Sequence, residues 1–130
     1  MNLVLETNVV VAAGFSRESD AAAIVRAVRA NRLTLIWDAE TRRETRRIVE
    51  RIPPLDWDDF ADLYIRANRY IGDLPLDRYT IVDGPLDRHF AALADAAGAP
   101  LVTNDSDLLD VRDRLAPAVA TPAEFARRHL

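Results

Sequence analysis

The chain opens on three consecutive aliphatic residues, Leu3, Val4 and Leu5, followed at once by Glu6, Thr7 and Asn8. A half-exposed strand alternates apolar and polar residues, so a run without alternation predicts a strand buried on both faces in the middle of a parallel sheet. An acid and two hydrogen-bonding side chains then stand at its carboxyl end. In open parallel α/β sheets that edge borders the ligand crevice, because the loops leaving the strands surround it. Glu6 is thereby the first candidate functional residue: a carboxylate directly after three buried aliphatics needs a partner or solvent.

The rest of the chain supplies the elements that such a strand requires. After the apolar stretch 9–15, Ser19 and Asp20 cap a predicted helix over 21–31, with Ala23, Ile24, Ala27 and Val28 at helical spacing. Residues 33–37 read as a second strand. Asp38 caps a helix running to about Glu50, so polar that it lies on the surface or beside a wet crevice. Pro53 and Pro54 stop it. Asp56 is expected to cap a continuous helix over 57–71, with Phe60, Leu63, Tyr64, Ala67 and Ile71 as its apolar stripe. Residues 79–82 read as a third strand, and 87–97 as a helix closed by Gly98. Short strands follow at 100–103 and 118–120, and Thr121, Pro122 and Glu124 start a final helix. This alternation predicts an α/β fold: one domain over residues 1–130, with a central parallel sheet of about four or five strands and helices on both faces.

Composition removes several chemistries. With no cysteine there is no disulfide framework, thiolate metal site or thiol nucleophile. All 17 basic residues are arginine, which excludes any mechanism needing a lysine amine, including the lysine that phosphoryl-accepting α/β domains use beside their strand-end acids. No apolar run approaches the ~20 residues of a membrane span, and no basic segment leads into an apolar one at the start. A cytoplasmic chain with no membrane partner is expected. The net charge of −4 does not itself indicate nucleic acid, although arginine is the better bidentate phosphate ligand.

Acids recur where the topology would gather them. If the first strand and that at 100–103 are neighbours, Glu6 and Asp105 overhang one crevice, and Glu44 reaches it from the polar helix. Asp87 joins them only if the loop before its helix folds over; its competing use is as a helix cap, as Asp107's is at Leu108. Clustered carboxylates raise one another's pKa and call for a cation. A hard divalent ion, Mg²⁺ or Mn²⁺, suits oxygen ligands and commonly activates water for phosphodiester cleavage.

These residues also carry a family resemblance. The opening Leu-Glu-Thr-Asn-Val-Val-Val at 5–11 resembles the Asp-Thr-Asn opening of PIN domains. Leu86-Asp87-Arg88-His89-Phe90-Ala91-Ala92-Leu93-Ala94, followed by Gly98-Ala99-Pro100-Leu101-Val102-Thr103-Asn104-Asp105-Ser106-Asp107-Leu108-Leu109, is similar to the family's second signature, and Thr121-Pro122-Ala123-Glu124-Phe125 to its close. The order and spacing are closest to the VapC-like toxins of bacterial toxin–antitoxin pairs. The resemblance implies a metal-dependent endoribonuclease that hydrolyses RNA with Mg²⁺ or Mn²⁺. It places the acidic set on Glu6, Glu44, Asp87 and Asp105, with Asp107 as an additional metal candidate, and makes Thr7, Asn8, Thr103 and Asn104 the groups that orient those carboxylates. Arg42, Arg43, Arg46 and Arg47 would contact RNA phosphates, or else form a solvated face paired with Glu40, Glu44 and Glu50. A homodimer and a small antitoxin protein would be the partners, with Trp57, Tyr64 and Ile71 as a candidate contact stripe.

Two positions depart from the family pattern. Glu6 stands where aspartate is usual, and its extra methylene moves the carboxylate on the order of 1 Å, beyond the ~0.5 Å tolerance of a preorganised site. A shifted metal and reduced activity are the expectation, and the alternative is a catalytically inactive module that keeps the fold to bind RNA or protein. Asn104 replaces a common glycine, with a side chain that narrows the crevice.

Overall fold

Four parallel strands form the sheet in the spatial order 34–35, 2–5, 101–102, 119–120, so the opening strand lies inside it. The computed structural model describes residues 1–130. The strands are β1 (Asn2–Leu5), β2 (Thr34–Leu35), β3 (Leu101–Val102) and β4 (Val119–Ala120). The register pairs Leu3 with Leu35, Leu5 with Val102, and Val102 with Ala120. Alternation along β1 feeds two cores. Leu3 and Leu5 point into one with Val9, Ile24, Val28, Val102 and Phe125, while Val4 and Leu101 point into another with Tyr79, Phe90 and Leu93.

The helices are α1 (Thr7–Phe15), α2 (Asp20–Arg29), α3 (Ala39–Glu50), α4 (Pro85–Ala97), α5 (Ser106–Leu109) and α6 (Pro122–His129). Their starts follow the capping chemistry of the sequence. Ser19 accepts the Ala22 N–H, Asp38 and Thr41 close a reciprocal box at α3, and Thr121 and Glu124 do the same at α6. Gly98 ends α4 in the left-handed conformation at φ 61°, where a side chain would be strained. Helices α1, α2 and α6 contribute to the first core and α4 to the second, so both sheet faces are covered in a single α/β domain. No helix is long and apolar enough to cross a membrane.

Two segments differ from the sequence reading. Residues 57–71 are not one α-helix but three 3₁₀ turns, Trp57–Asp59, Ala61–Leu63 and Arg66–Asn68. Trp37 is the physical reason. Its indole N–H donates to the Ile65 carbonyl at 2.9 Å and its carbonyl accepts the Tyr70 N–H at 2.7 Å, so two backbone groups that a helix would need are bonded to β2's extension instead. Trp37 also bridges Arg69 in parallel, extending the sheet edge by one residue. The expected stripe is split accordingly: Trp57 is buried and Tyr64 packs against the first core, whereas Ile71 is 81% exposed.

Residues 79–82 form no strand either. They follow a 3₁₀ turn at Leu76–Tyr79, and the Arg88 guanidinium donates to the Val82 carbonyl at 2.6 Å and the Thr80 carbonyl at 3.3 Å. Tyr79 is buried and donates its hydroxyl to Asp95 at 2.7 Å. Those carbonyls therefore serve the loop before α4, and no fifth strand of this kind joins the sheet.

Candidate metal centre

Because β1 and β3 are hydrogen-bonded neighbours, their carboxyl ends deliver side chains to the same place. The Glu6 N–H donates to the Val102 carbonyl at 3.0 Å, and the Thr103 N–H to the Ala120 carbonyl at 3.0 Å. The chain then leaves both strands in capped turns. Glu6 caps α1, its Oε2 accepting the Asn8 N–H at 3.1 Å. Thr103, fully buried, accepts the Asp105 N–H on its hydroxyl at 2.9 Å, and Asp105 Oδ1 accepts the Asp107 N–H at 2.9 Å.

Asp87 arrives from the opposite face of the sheet. Arg88 grips the loop before α4, and Gly84, at φ 89°, turns it into Pro85 at the first helical position. That fold-over puts a carboxylate oxygen of Asp87 together with one each from Glu6 and Asp105, all within 4.8 Å of one another. Asp87 does not cap its helix, which begins at Gly84 without a side-chain cap.

The electrostatics follow from this crowding. Glu6 is 7% exposed; burial first, and then the charges of Asp87 and Asp105, push its carboxyl up to about 7 against the opposing Asn8 N–H. Asp87 is likewise raised to about 7, by burial and then by the charge of Asp105, a hydrogen bond with it, and Asp107. Glu6 and Asp87, crowded in this way against Asp105, form with it an all-oxygen donor set that fits a hard divalent cation.

The other expected site residues surround this cluster. Thr7 Oγ1 lies 3.0 Å from Thr45 Oγ1 in a buried hydroxyl pair that locks α1 to α3 beneath Glu6. Asn8 Oδ1 accepts the Asn104 N–H at 3.1 Å and holds the turn that carries Asp105. Glu44 lines the same cleft as Glu6 and Asp105 but is paired with Arg47 at 2.7 Å and stands outside the three-oxygen cluster. Asp107 is also outside it, though its charge acts on Asp87. The cleft has a volume of about 340 Å³, with an apolar wall of Val11, Ile48, Ile52 and Leu86 running on from the acids.

On α3, Arg43 pairs with Glu40 at 2.7 Å and Arg46 with Glu50 at 3.2 Å, while Arg42 and Arg46 lie over the Trp57 ring at 5.4 and 5.9 Å. Three further residues support the site. Thr45 follows Thr41 and precedes Val49 at four-residue steps, a buried stripe that the spacing itself displays. Arg88 and His89 carry no such signal. His89 Nε2 sits 2.6 Å from Asp38 Oδ2, tying α4 to the capped start of α3.

A family model described as PIN domain matches residues 2–107. No curated protein and no solved structure matches the chain.

Proposed function

The chain belongs to the PIN-domain family, and from that premise we propose that it is a metal-dependent endoribonuclease, the VapC-like toxin of a bacterial toxin–antitoxin pair. The observation that carries the nuclease reading is the meeting of Glu6, Asp87 and Asp105 within 4.8 Å. Glu6 and Asp87 would hold a divalent ion such as Mg²⁺ or Mn²⁺, which would supply the positive charge that acidifies a water and neutralises a phosphodiester, and Asp105 would position that water or help hold a second ion. Thr103 and Asn8 keep Asp105 aimed, the first through the Asp105 N–H and the second through the Asn104 N–H. Arg43, Arg46 and Arg47 would exchange their partners Glu40, Glu50 and Glu44 on α3 for RNA phosphates, and Arg42, over the Trp57 ring, would join them.

The toxin assignment rests on the resemblance of the signatures at 5–11 and 86–109, as do the antitoxin and the homodimer. Ile65, Ile71 and Leu76, exposed at 42%, 81% and 45%, offer the apolar surface for such contacts. One observation favours the competing reading of a non-catalytic binding module: the Glu6 carboxylate is engaged in capping α1.

Cleavage of a mixed RNA pool with Mg²⁺ or Mn²⁺ separates the two. The nuclease reading expects metal-dependent cutting that Asp87→Asn and Asp105→Asn each abolish. Absence of cutting together with absence of Mn²⁺ binding by calorimetry leaves the binding module standing.

A further inference from the structure

The side-chain amide of Asn8 is only half used inside the protein. Its Oδ1 accepts the Asn104 N–H at 3.1 Å. A backbone N–H can only donate, so the amide oxygen is fixed on that side and the nitrogen is turned away from it. Nδ2 has no partner in the protein, and since no buried side-chain nitrogen lacks one, it is open to solvent. Asn8 lines the cleft together with Glu6, Glu44 and Asp105.

The other donors nearby are already taken. The Asn8 N–H is bonded to Glu6 Oε2 at 3.1 Å and the Val9 N–H to the Glu6 carbonyl at 3.0 Å. The Thr7 hydroxyl is buried against Thr45 Oγ1 at 3.0 Å. No arginine or histidine lines the cleft, and Arg47 is held against Glu44 at 2.7 Å. Asn8 Nδ2 is thereby the one side-chain donor on the cleft wall that is neither buried nor bonded.

We propose that Asn8 is a catalytic residue as well as a positioning one, its Nδ2–H donating to a non-bridging oxygen of the phosphodiester, where negative charge builds in the transition state. The assignment rests on the nuclease reading above and deepens it. In the hydrolysis a water oxygen bonds to phosphorus and one P–O ester bond breaks. One water proton ends on the leaving oxygen and the other in solvent, and Asn8 neither gains nor loses one. A cationic side chain at this position would pair with the acids, as Arg47 does with Glu44, and compete with the cation they are suited to hold. A neutral amide donates to the phosphate without that competition.

Asn8→Asp separates the two duties, because aspartate keeps an oxygen for the Asn104 N–H and loses the donor. Wild type and this variant are given a short RNA spanning a linkage that wild type cuts in the mixed pool. Either non-bridging position of that linkage carries oxygen or sulfur, the weaker hydrogen-bond acceptor, and Mn²⁺ is used because it tolerates sulfur better than Mg²⁺ does. The expected result is a kcat about 100-fold lower in the variant, with Mn²⁺ affinity by calorimetry undiminished. On wild type, one of the two sulfur positions slows cleavage about tenfold, and in the variant that slowing disappears. The sulfur comparison is made on one protein at a time, so it is independent of the charge that aspartate adds. A variant as fast as wild type overturns the assignment and leaves the nuclease standing, as does wild type slowed at neither sulfur position. A loss of kcat matched by a loss of Mn²⁺ affinity also overturns it and leaves Asn8 a positioning residue. Absence of cutting by wild type overturns the nuclease reading and this contact together.

Discussion

The side-chain oxygen of Asn8 accepts the backbone N–H of Asn104 at 3.1 Å, across 96 positions of sequence. Asn8 lies in the first turn of α1, and Asn104 in the turn that carries Asp105, so this bond adds a tie between the two acid-bearing turns beyond the β1–β3 pairing. Asn8→Ala removes that acceptor and is expected to cost about 1 kcal/mol of stability. The larger effect falls on the site, with Mn²⁺ affinity reduced about tenfold or more because Asp105 loses its fixed position. Calorimetric Mn²⁺ titration beside a urea melt checks both, and a variant that loses stability but keeps its metal affinity would show the bond to be structural only.

Glu6→Asp separates the two duties of that side chain. Aspartate is a favoured helix cap, so α1 is expected to keep its start and the melting temperature to stay nearly constant. The substitution also draws the carboxylate back by on the order of 1 Å, undoing the displacement that the extra methylene of Glu6 introduces relative to the family's usual aspartate, which exceeds the roughly 0.5 Å that a preorganised site tolerates. With Asp87 and Asp105 held by α4 and the Thr103 turn, Glu6→Asp is expected to raise Mn²⁺-dependent RNA cleavage about tenfold. A fall in cleavage would mean instead that the site is built around the longer acid.

Legibility in the sequence followed the range of the forces involved. Ser19, Asp38, Thr121 and Gly98 act within a turn of their own positions, and the helix ends they mark could be read directly. The Leu3–Leu5 run and the strand at 101–102 carried enough buried character to place Glu6 and Asp105 on one edge. The stretch 57–71 could not be read because Trp37, twenty residues and more away, takes the Ile65 carbonyl and the Tyr70 N–H. Asp87 was legible only as a condition, since Arg88 gripping two upstream carbonyls is what folds the loop over. Local rules located the elements, and long-range hydrogen bonds decided which acids meet.

Asp38 joins two parts of the site scaffold, capping α3 through the Thr41 N–H at 2.9 Å and meeting His89 on α4 at 2.6 Å. Burial alone would raise its carboxyl, but the hydrogen bond from His89 and those from Thr41 outweigh it, and the net shift is downward. Asp38→Ala is expected to cost about 2 kcal/mol by losing a cap and leaving a half-buried partner unpaired, measured as a shift in the urea midpoint. Asp38→Asn retains the cap and should lose less.

If the α3 arginines meet RNA, their contribution is ionic and appears in the salt dependence. Each phosphate contact removed lowers the slope of log affinity against log salt by about 0.7 for a single strand. Arg42→Ala with Arg43→Ala is therefore expected to flatten the slope by about 1.4 without changing which RNAs are bound. Fluorescence anisotropy over a salt series checks this, and an unchanged slope returns both residues to a solvated helix face.

The metal-free protein should lose stability as pH rises, the reverse of ordinary acid denaturation. Glu6 is raised from 4.5 to about 7 and Asp87 from 3.8 to about 7, so between those limits the native state binds more protons than the unfolded chain. Their contribution is fully present below the unfolded values and lost as pH climbs through about 7. A divalent ion inverts the trend, because it replaces the protons and binds only the ionised acids. Thermal melts from about pH 5 to about pH 8 are expected to show Tm falling without metal and Mn²⁺ stabilisation growing with pH. Glu6→Gln should flatten both curves together. Were Tm to rise over this range in metal-free buffer, the three carboxylates would not be crowded as Glu6, Asp87 and Asp105 are here, and the metal centre would lose its electrostatic basis.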